Sequence, residues 1–452
     1  MRLWPALREQ APPVLRLAIP LVVGELGWMT MGLVDTMMVG RLSKEAMGGV
    51  SVAGILFYTV ATFGMGVLCG LDTLVSQAFG AEDIDDCHRW LVSGLWLAAA
   101  LVAPSMLVAA AWAPLMRLAG VHRDVLPAAT EYIYAVLWSL PPLYLYTALR
   151  RYLQARNLVG GVMFSLVSAN LINAGVNWLL IFGHWGFPRM GAAGAGWATT
   201  ISRAYMALCV AAYLVWKERL QPTGLTGATW RPNLDRIRRV FALGLPAGLQ
   251  VVFEVAVWAI AGTLAARLDP RYIAAHQIAV TAASYSFMVP LGISSAAAVR
   301  VGQLLGANDG RGAAAAGWVA ILIGVAFMGC AGAYYVLAPR AVGRLLTNDS
   351  GVVETAAGFL AWVAMFQLFD GAQAVATGAL RGAGNTRAAA IAHLVGYWLI
   401  GLPAGYWLCF FAGWGAAGLW AGLCLALVLI GVALAGAWWR TALGFASYRA
   451  VR

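Results

Sequence analysis

The feature that most constrains this chain is a succession of long apolar runs. Twelve of them follow one another along 452 residues, and each can supply the roughly 20 residues with which a helix crosses a hydrocarbon core. Overall 62% of residues are hydrophobic and 11% are charged, whereas soluble domains carry roughly 25% charged residues. The sequence therefore predicts an all-α polytopic membrane protein. Its predicted helices span 14–39, 46–79, 89–116, 125–149, 160–182, 191–216, 238–265, 271–305, 312–338, 352–379, 388–411 and 415–439.

Two parts of the chain repeat each other at a separation of 226 residues. Residues 20–83 align with residues 246–309 without a gap, and ten of the 64 aligned positions are identical. Tandem repeats of membrane helices often hold a substrate site between them. We therefore expect twelve transmembrane helices arranged as two six-helix repeats (6+6 bundles) around a central cavity. The expected domains are an N-terminal bundle at 1–216, a cytoplasmic linker at 217–239 and a C-terminal bundle at 240–452.

The distribution of Lys and Arg predicts the orientation. Outside the helix interiors, 18 of them lie on the side that carries both termini, and nine lie on the other side. The positive-inside rule then places both termini in the cytoplasm. The first apolar run is full-length and has no Ala-x-Ala cleavage site, so we expect it to insert as helix 1 rather than to be removed. The basic residues are scattered over short segments, which argues against a nucleic-acid partner and leaves the lipid bilayer as the expected surroundings.

Acidic residues within the apolar runs are the main functional candidates. A carboxylate at membrane depth costs roughly 2.5–3.5 kcal/mol on insertion scales, so it indicates function by default. None of the five has a Lys or Arg one helical turn away. Such a carboxyl group can bind and release H⁺ or coordinate Na⁺ through its oxygens. The five are Glu25, Asp35, Asp72, Glu254 and Asp370; we expect Asp72, which is nearest the cytoplasm, to be structural.

Asp35 on the first helix has possible partners on the fifth. Asn173 and Asn177 are four residues apart, so their amides share one helix face. A carboxylate with amide oxygens suits a hard cation such as Na⁺, and an amide-stabilised protonated Asp suits H⁺ equally well. The alternatives are an interfacial helix-end acid for Asp35 and plain interhelical hydrogen bonds for the asparagines.

Two further acids lie in the second half, each with an amide on its own helix face. Gln250 precedes Glu254 by four residues, and Gln373 follows Asp370 by three. The repeat places Trp28 opposite Glu254, so this acid is not a remnant of the duplicated scaffold. Glu254 and Asp370 are therefore candidates to bind H⁺ or to coordinate Na⁺; the alternative is a pair of satisfied structural acids.

A substrate cavity is expected beside these acids. Glu25 lies ten residues before Asp35, close to the same side of the helix, and aromatic rings near the acids can stack on a cationic ligand. The predicted cavity residues are Glu25, Trp28, Gln250, Phe253, Phe366, Phe369 and Gln373.

Several classes of protein are disfavoured by what the sequence lacks. There is no Gly-x-x-x-x-Gly-Lys-Ser/Thr motif and no soluble domain to hold ATP, so energy should come from an ion gradient. There is no nucleophile elbow and no His-Glu-x-x-His, so we expect neither an enzyme nor a cofactor. The loops are too short for a scaffold protein, and we expect a monomer.

At these residues the chain resembles the multidrug and toxic compound extrusion (MATE) transporters, in particular the NorM-like branch. The resemblance rests on Asp35-Thr-Met-Met-Val-Gly, Phe253-Glu254, Asp370 with Gly378-Ala-Leu-Arg-Gly-Ala-Gly, and the paired segments that begin at Val75 and Val301. It implies a multi-pass transporter of the bacterial cytoplasmic (inner) membrane that exports organic cations and other xenobiotics in exchange for inward Na⁺ or H⁺. It also implies cation binding at Glu254 and Asp370, with a further site at Asp35, Asn173 and Asn177. The alternative is a lipid-linked oligosaccharide flippase of similar helical plan, whose cavity should be lined by Arg and Lys.

Overall fold

The computed structural model describes residues 3–118, 120–268 and 270–447, and they form helices joined by short loops. The predicted all-α membrane fold is confirmed, with helices at the predicted places. Their bounds are α1 Leu3–Val39, α2 Lys44–Leu68, α3 Gly70–Gly80, α4 Ile84–Leu118, α5 Leu126–Val136, α6 Leu140–Ala155, α7 Val159–Phe182, α8 Gly191–Leu220, α9 Leu234–Ala266, α10 Pro270–Gly306, α11 Gly310–Leu337, α12 Pro339–Leu346, α13 Ser350–Gly382, α14 Thr386–His393, α15 Leu402–Phe410 and α16 Ala416–Ser447.

Eleven helices of the described residues are long and apolar enough to cross a membrane. The predicted fourth helix is the remaining one. It runs from Leu126 to Ala155, but a 3₁₀ turn at Leu137–Ser139 divides it into α5 and α6, so neither piece reaches a full span alone. The helical path is nevertheless unbroken from the start of α5 to the end of α6.

The chain divides into two compact units whose boundaries fall inside α1 and α9. One unit is Leu26–Gly248, and the other holds the remaining described residues. In the first unit α8 packs against α5, α6 and α7, and α2 packs against α4 and α5. Two glycines set the approach of α9 to α2 there: a Cβ on Gly244 would collide with the carbonyl oxygen of Val67, and one on Gly66 would lie 2.6 Å from the Cα of Gly248. Only residues without side chains permit this backbone contact.

The second unit is built around α13, which packs against α10, α11 and α16. The first part of α1 belongs to this unit. There Gln10 Oε1 accepts a hydrogen bond from Arg300 Nε at 3.0 Å, and Val22 lies directly against Gly292 of α10. The buried rings of Trp420 and Phe366 are parallel, with centroids 6.5 Å apart, and they form part of the core.

The sequence repeat is visible in the turns. Glu82 and Asn308, which are aligned in the repeat, have φ angles of 61° and 59°. The aspartates that follow both cap the next helix, since Asp83 accepts from the Asp86 backbone N–H at 2.8 Å and Asp309 accepts from that of Gly312 at 2.9 Å. The same turn chemistry thus ends one helix and starts the next in both halves.

Four details of the helices differ from the predicted bounds. Helix α1 is described from Leu3, eleven residues before its predicted start, and the second predicted helix is interrupted at Cys69, between α2 and α3. A short amphipathic helix, α12, follows α11. Between α14 and α15, Leu394–Gly401 forms a π-helical segment. The apolar pattern does not predict these features because it reflects only which residues avoid water. Each of these segments remains within an apolar or amphipathic helix, so its hydrophobicity does not distinguish it from a regular helix.

Candidate functional site

The first unit contains a buried polar group made from three helices, which we call the N-terminal cluster: Asp35 on α1, Asn173 and Asn177 on α7, and Thr199 on α8. Asn177 Nδ2 donates to Asp35 Oδ1 at 2.5 Å and to Asn173 Oδ1 at 3.1 Å. Thr199 Oγ1 donates to Asp35 Oδ2 at 3.0 Å. Asp35 is 8% exposed and both asparagines are fully buried. The three predicted residues are therefore brought together, and Thr199 joins them.

The N-terminal cluster has spare coordinating capacity. Among the described residues, Asn177 Oδ1 has no hydrogen-bond partner, and an unsatisfied buried polar atom is costly. Carboxylate and amide oxygens are ligands that a hard cation accepts. The donor set therefore fits a monovalent cation at Asp35 in type, although two donors already occupy the carboxylate.

Arg203 lies in the same region, one turn further along α8 from Thr199. It is 8% exposed, and its guanidinium carbon lies 5.5 Å from the ring centre of Trp28 and 5.2 Å from that of Phe57. Its Nη1 donates to Ser139 Oγ at 2.6 Å, at the 3₁₀ turn between α5 and α6. The ring of Trp28, expected to stack on a cationic ligand, thus contacts a cation of the protein itself. Sequence reasoning did not select Arg203 as a site residue.

The second unit contains another buried group, which we call the C-terminal cluster: Gln250 and Glu254 on α9, Asp370 and Gln373 on α13, and His393 at the end of α14. Gln373 Nε2 donates to Asp370 Oδ1 at 3.0 Å. Asp370 is 6% exposed, and the Glu254 side chain is 18% exposed. The two carboxyl groups are close enough to interact electrostatically. The predicted acids and their amide neighbours are therefore in one place.

His393 is the member of this cluster that sequence reasoning missed. Its ring is fully buried, and Nδ1 donates to the carbonyl oxygen of Ala389 at 2.8 Å. In the neutral ring Nε2 is then an acceptor. That atom lies 3.7 Å from Glu254 Oε2 and 3.5 Å from Gln250 Nε2. A histidine inside an apolar run was the available signal, and its position beside Glu254 could come only from the fold.

The π-helical segment begins directly after His393. Tyr397 lies within it, fully buried, and its hydroxyl has no hydrogen-bond partner among the described residues. Trp398 Nε1 donates to the Phe253 carbonyl oxygen at 3.2 Å, and the two rings meet edge to face. Short π segments inside α-helices frequently occur at functional sites. This one joins the helix of His393 to the stretch of α9 that carries Glu254.

The other predicted cavity residues take varied positions. Phe366 is 1% exposed and packs against Trp258 and Trp420 in the core of the second unit. Phe369 is half-buried and lies against Gly431 of α16. Glu25 is buried, at 9% exposure, in the second unit.

Asp72 is held by a structural ion pair. Arg151 Nη1 lies 3.1 Å from Asp72 Oδ2, and both side chains are largely buried. Its pairing agrees with the structural role expected for this acid.

The family model MatE matches residues 20–179 and 246–407, two segments that begin where the two copies of the sequence repeat begin. The chain belongs to the MatE family. The resemblance inferred from the motifs is thereby confirmed, and the two matched segments confirm the two-repeat plan.

Named MatE relatives match nearly the whole chain. The probable multidrug resistance protein NorM of Mesorhizobium japonicum is 34% identical over 445 residues, which cover 97% of this chain and 95% of the relative. The protein of the same name from Brucella suis biovar 1 is 36% identical over 433 residues, with 94% and 92% covered. A crystal structure of the eukaryotic MATE transporter AtDTX14 has a TM-score of 0.89 at 21% identity and covers 97% of this chain and 99% of its own. That likeness shows the shared twelve-helix MATE fold.

Proposed function

We propose that this MatE protein is a secondary active multidrug efflux antiporter of the bacterial inner membrane, which exports organic cations in exchange for inward Na⁺ or H⁺. Multidrug export is supported by the NorM relatives, which are named for multidrug resistance. The observation that carries the exchange mechanism is the C-terminal cluster. It places Glu254 and Asp370 in one buried location, and neither forms an ion pair with a Lys or Arg among the described residues.

Buried acids without a Lys or Arg partner can exchange one cation for another. A carboxylate in a region of low dielectric constant is stabilised by any cation that reaches it. An inorganic cation and a cationic drug both meet this need, so binding of one displaces the other. Mutual exclusion at shared acids is sufficient for antiport, provided that the protein exposes the acids to one side of the membrane at a time.

The ion gradient supplies the energy. Each inorganic cation moved inward across 100 mV releases about 2.3 kcal/mol. Export of one organic cation consumes the same electrical energy, so a one-for-one exchange depends on the concentration gradient alone. An exchange of two ions for one drug also gains the membrane potential.

Further parts of the proposal rest on the sequence. Both termini lie in the cytoplasm, the halves 1–216 and 240–452 act as two bundles joined by a linker at 217–239, and the protein acts as a monomer. The N-terminal cluster and the predicted cavity residues belong to the transport machinery of their own bundles.

Asp370→Asn tests the proposed function. The substitution keeps the shape of the side chain and removes its charge, so we expect gradient-driven efflux of an organic cation from intact cells to be abolished while the amount of protein in the membrane is unchanged. Asp124→Asn is the matched control, because the Asp124 side chain is 70% exposed in a loop. Full efflux by the Asp370→Asn variant would remove Asp370 from the mechanism.

A further inference from the structure

The buried guanidinium of Arg203 has no carboxylate within ion-pair distance among the described residues. Its contacts are the hydroxyl of Ser139 and the ring faces of Trp28 and Phe57, and its Nε has no hydrogen-bond partner. Burial of a cation is costly unless an anion compensates it. Arg203 therefore requires a nearby negative charge.

That charge is Asp35. Thr199, which donates to Asp35 Oδ2, is four residues before Arg203 and on the same face of α8. Asp35 and Arg203 interact electrostatically across this cluster. In the described part of the chain, the other ionisable groups that act on Arg203 are tyrosines, which are uncharged at neutral pH; they are Tyr58, Tyr132 and Tyr144. The N-terminal cluster with Arg203 thus has one negative and one positive charge.

The sequence repeat shows that the two bundles differ at this point. Outside the aligned residues 20–83 and 246–309, Ala148-Leu149-Arg150 recurs as Ala379-Leu380-Arg381 at a separation of 231 residues, and nine residues before the alanine of each stand Ser139 and Asp370. One bundle therefore has an acid where the other has the hydroxyl that accepts a hydrogen bond from Arg203. No Lys or Arg of the described residues pairs with Glu254 or Asp370. His393, which faces Glu254 at 3.7 Å, is uncharged in its neutral form, so the C-terminal cluster lacks the permanent cation that the N-terminal cluster has.

We propose that Arg203 is a built-in counter-cation that neutralises Asp35 and excludes a monovalent inorganic cation from the N-terminal cluster. Arg203 thereby determines which of the two bundles binds the coupling ion. A cation added beside Asp35 would leave the cluster with a net positive charge in a region of low dielectric constant. A cation added to the C-terminal cluster reduces a net negative charge. This inference rests on the proposed antiport function and specifies which bundle takes up the coupling ion.

The test uses the full-length chain in detergent with the C-terminal acids removed by Glu254→Gln and Asp370→Asn. This parent variant should bind no Na⁺, measured as bound ²²Na⁺, and should show no proton uptake that depends on Asp35. Adding Arg203→Gln should create a site for one cation per chain, which the ²²Na⁺ assay or the proton-uptake assay identifies as Na⁺ or H⁺. Proton uptake is measured with an indicator dye after a step from alkaline to acidic pH. Adding Asp35→Asn as well should abolish the new site.

Arg203→Lys is the matched control, since it keeps the positive charge, and it should behave as the parent does. Each variant is checked for a single species by size-exclusion chromatography. If Arg203→Gln alone does not fold, the doubly neutral Arg203→Gln, Asp35→Asn variant is made in the protein that keeps Glu254 and Asp370. It should bind the same number of cations as the unchanged protein, and a loss of one cation would overturn the proposal.

An Asp35-dependent cation in the parent, or no gain in Arg203→Gln, would also overturn the role of Arg203. Neither result affects the proposed antiport, because the Asp370→Asn efflux assay is made in the otherwise unchanged protein and does not involve Arg203. The two proposals therefore fail separately.

Discussion

Replacement of Thr199 by Val tests whether Asp35 is an ionised acceptor. The two side chains have similar volumes, so the main change is loss of the hydrogen bonds from Thr199 Oγ1 to Asp35 Oδ2 and to the carbonyl oxygen of Ala195. A hydrogen bond to a charged group contributes about 1.5–3 kcal/mol. Neutral side-chain hydrogen bonds inside membrane proteins average about 0.6 kcal/mol, with a maximum of about 1.7 kcal/mol. We therefore expect Thr199→Val to lower the free energy of unfolding by about 2 kcal/mol.

The adjacent residue provides the control. Thr200 is buried, and its Oγ1 donates to the carbonyl oxygens of Ala135 and Gly196, both at 3.0 Å. These acceptors are neutral, so Thr200→Val should cost only about 0.6 kcal/mol. Unfolding in mixed micelles titrated with sodium dodecyl sulfate measures both values, and a double-mutant cycle with Asp35→Asn isolates the contact between Thr199 and Asp35.

The cycle should give a coupling of about 1 kcal/mol or more, because the amide of the Asn variant is a weaker acceptor than a carboxylate. Equal costs for Thr199→Val and Thr200→Val, together with no coupling to Asp35, would refute the reasoning. Asp35 would then not be an ionised acceptor, and the need for Arg203 as its counter-cation would disappear.

Two further predictions concern single contacts. His393→Ala removes the nitrogen that faces Glu254 at 3.7 Å and should slow the initial rate of organic-cation efflux about tenfold, which corresponds to about 1.4 kcal/mol. His393→Gln keeps a polar group at this place and should retain more of the rate. Equal rates for both variants and the unchanged protein would show that the contact is not used. Gly64→Ala places a Cβ 2.3 Å from Tyr144 Cζ and should destabilise the protein by about 1–3 kcal/mol through overpacking. The control is Gly54→Ala, whose new Cβ has no atom within 4 Å. This control should have little effect in the same unfolding assay.

The helices were predictable because the membrane leaves few choices. A run of about 20 apolar residues can satisfy its backbone polar groups only as a helix, and the turns at Asp83 and Asp309 have recognisable capping residues. The 3₁₀ turn at Leu137–Ser139 leaves the hydrophobicity of its apolar run unchanged, and the available signal was the pair Pro141 and Pro142 that follows it. The π-helical segment after His393 escaped prediction because it too leaves hydrophobicity unchanged.

The candidate sites were predictable only in part. Asp35 and Asp370 stand out as acids in apolar runs, and Asn173 and Asn177 share a helix face by their spacing alone. Arg203 and His393 were not assigned because their roles depend on helices that are distant in sequence. The pairing of His393 with Glu254 joins residues 139 positions apart, and no local pattern reports such a contact. Which Phe rings lie in the core was also beyond sequence reasoning, since an aromatic residue at helical spacing can face either protein or lipid.

The most direct test of the account measures transport in proteoliposomes. The purified chain is reconstituted with an entrapped organic cation such as tetraphenylphosphonium, and an inward Na⁺ gradient and an inward H⁺ gradient are imposed separately. The account predicts that at least one gradient accelerates efflux by the unchanged protein and by the Asp124→Asn control, and that neither accelerates efflux by Asp370→Asn. Gradient-accelerated efflux of full size in Asp370→Asn, or none with either gradient in the unchanged protein, would contradict ion-coupled export through the C-terminal cluster.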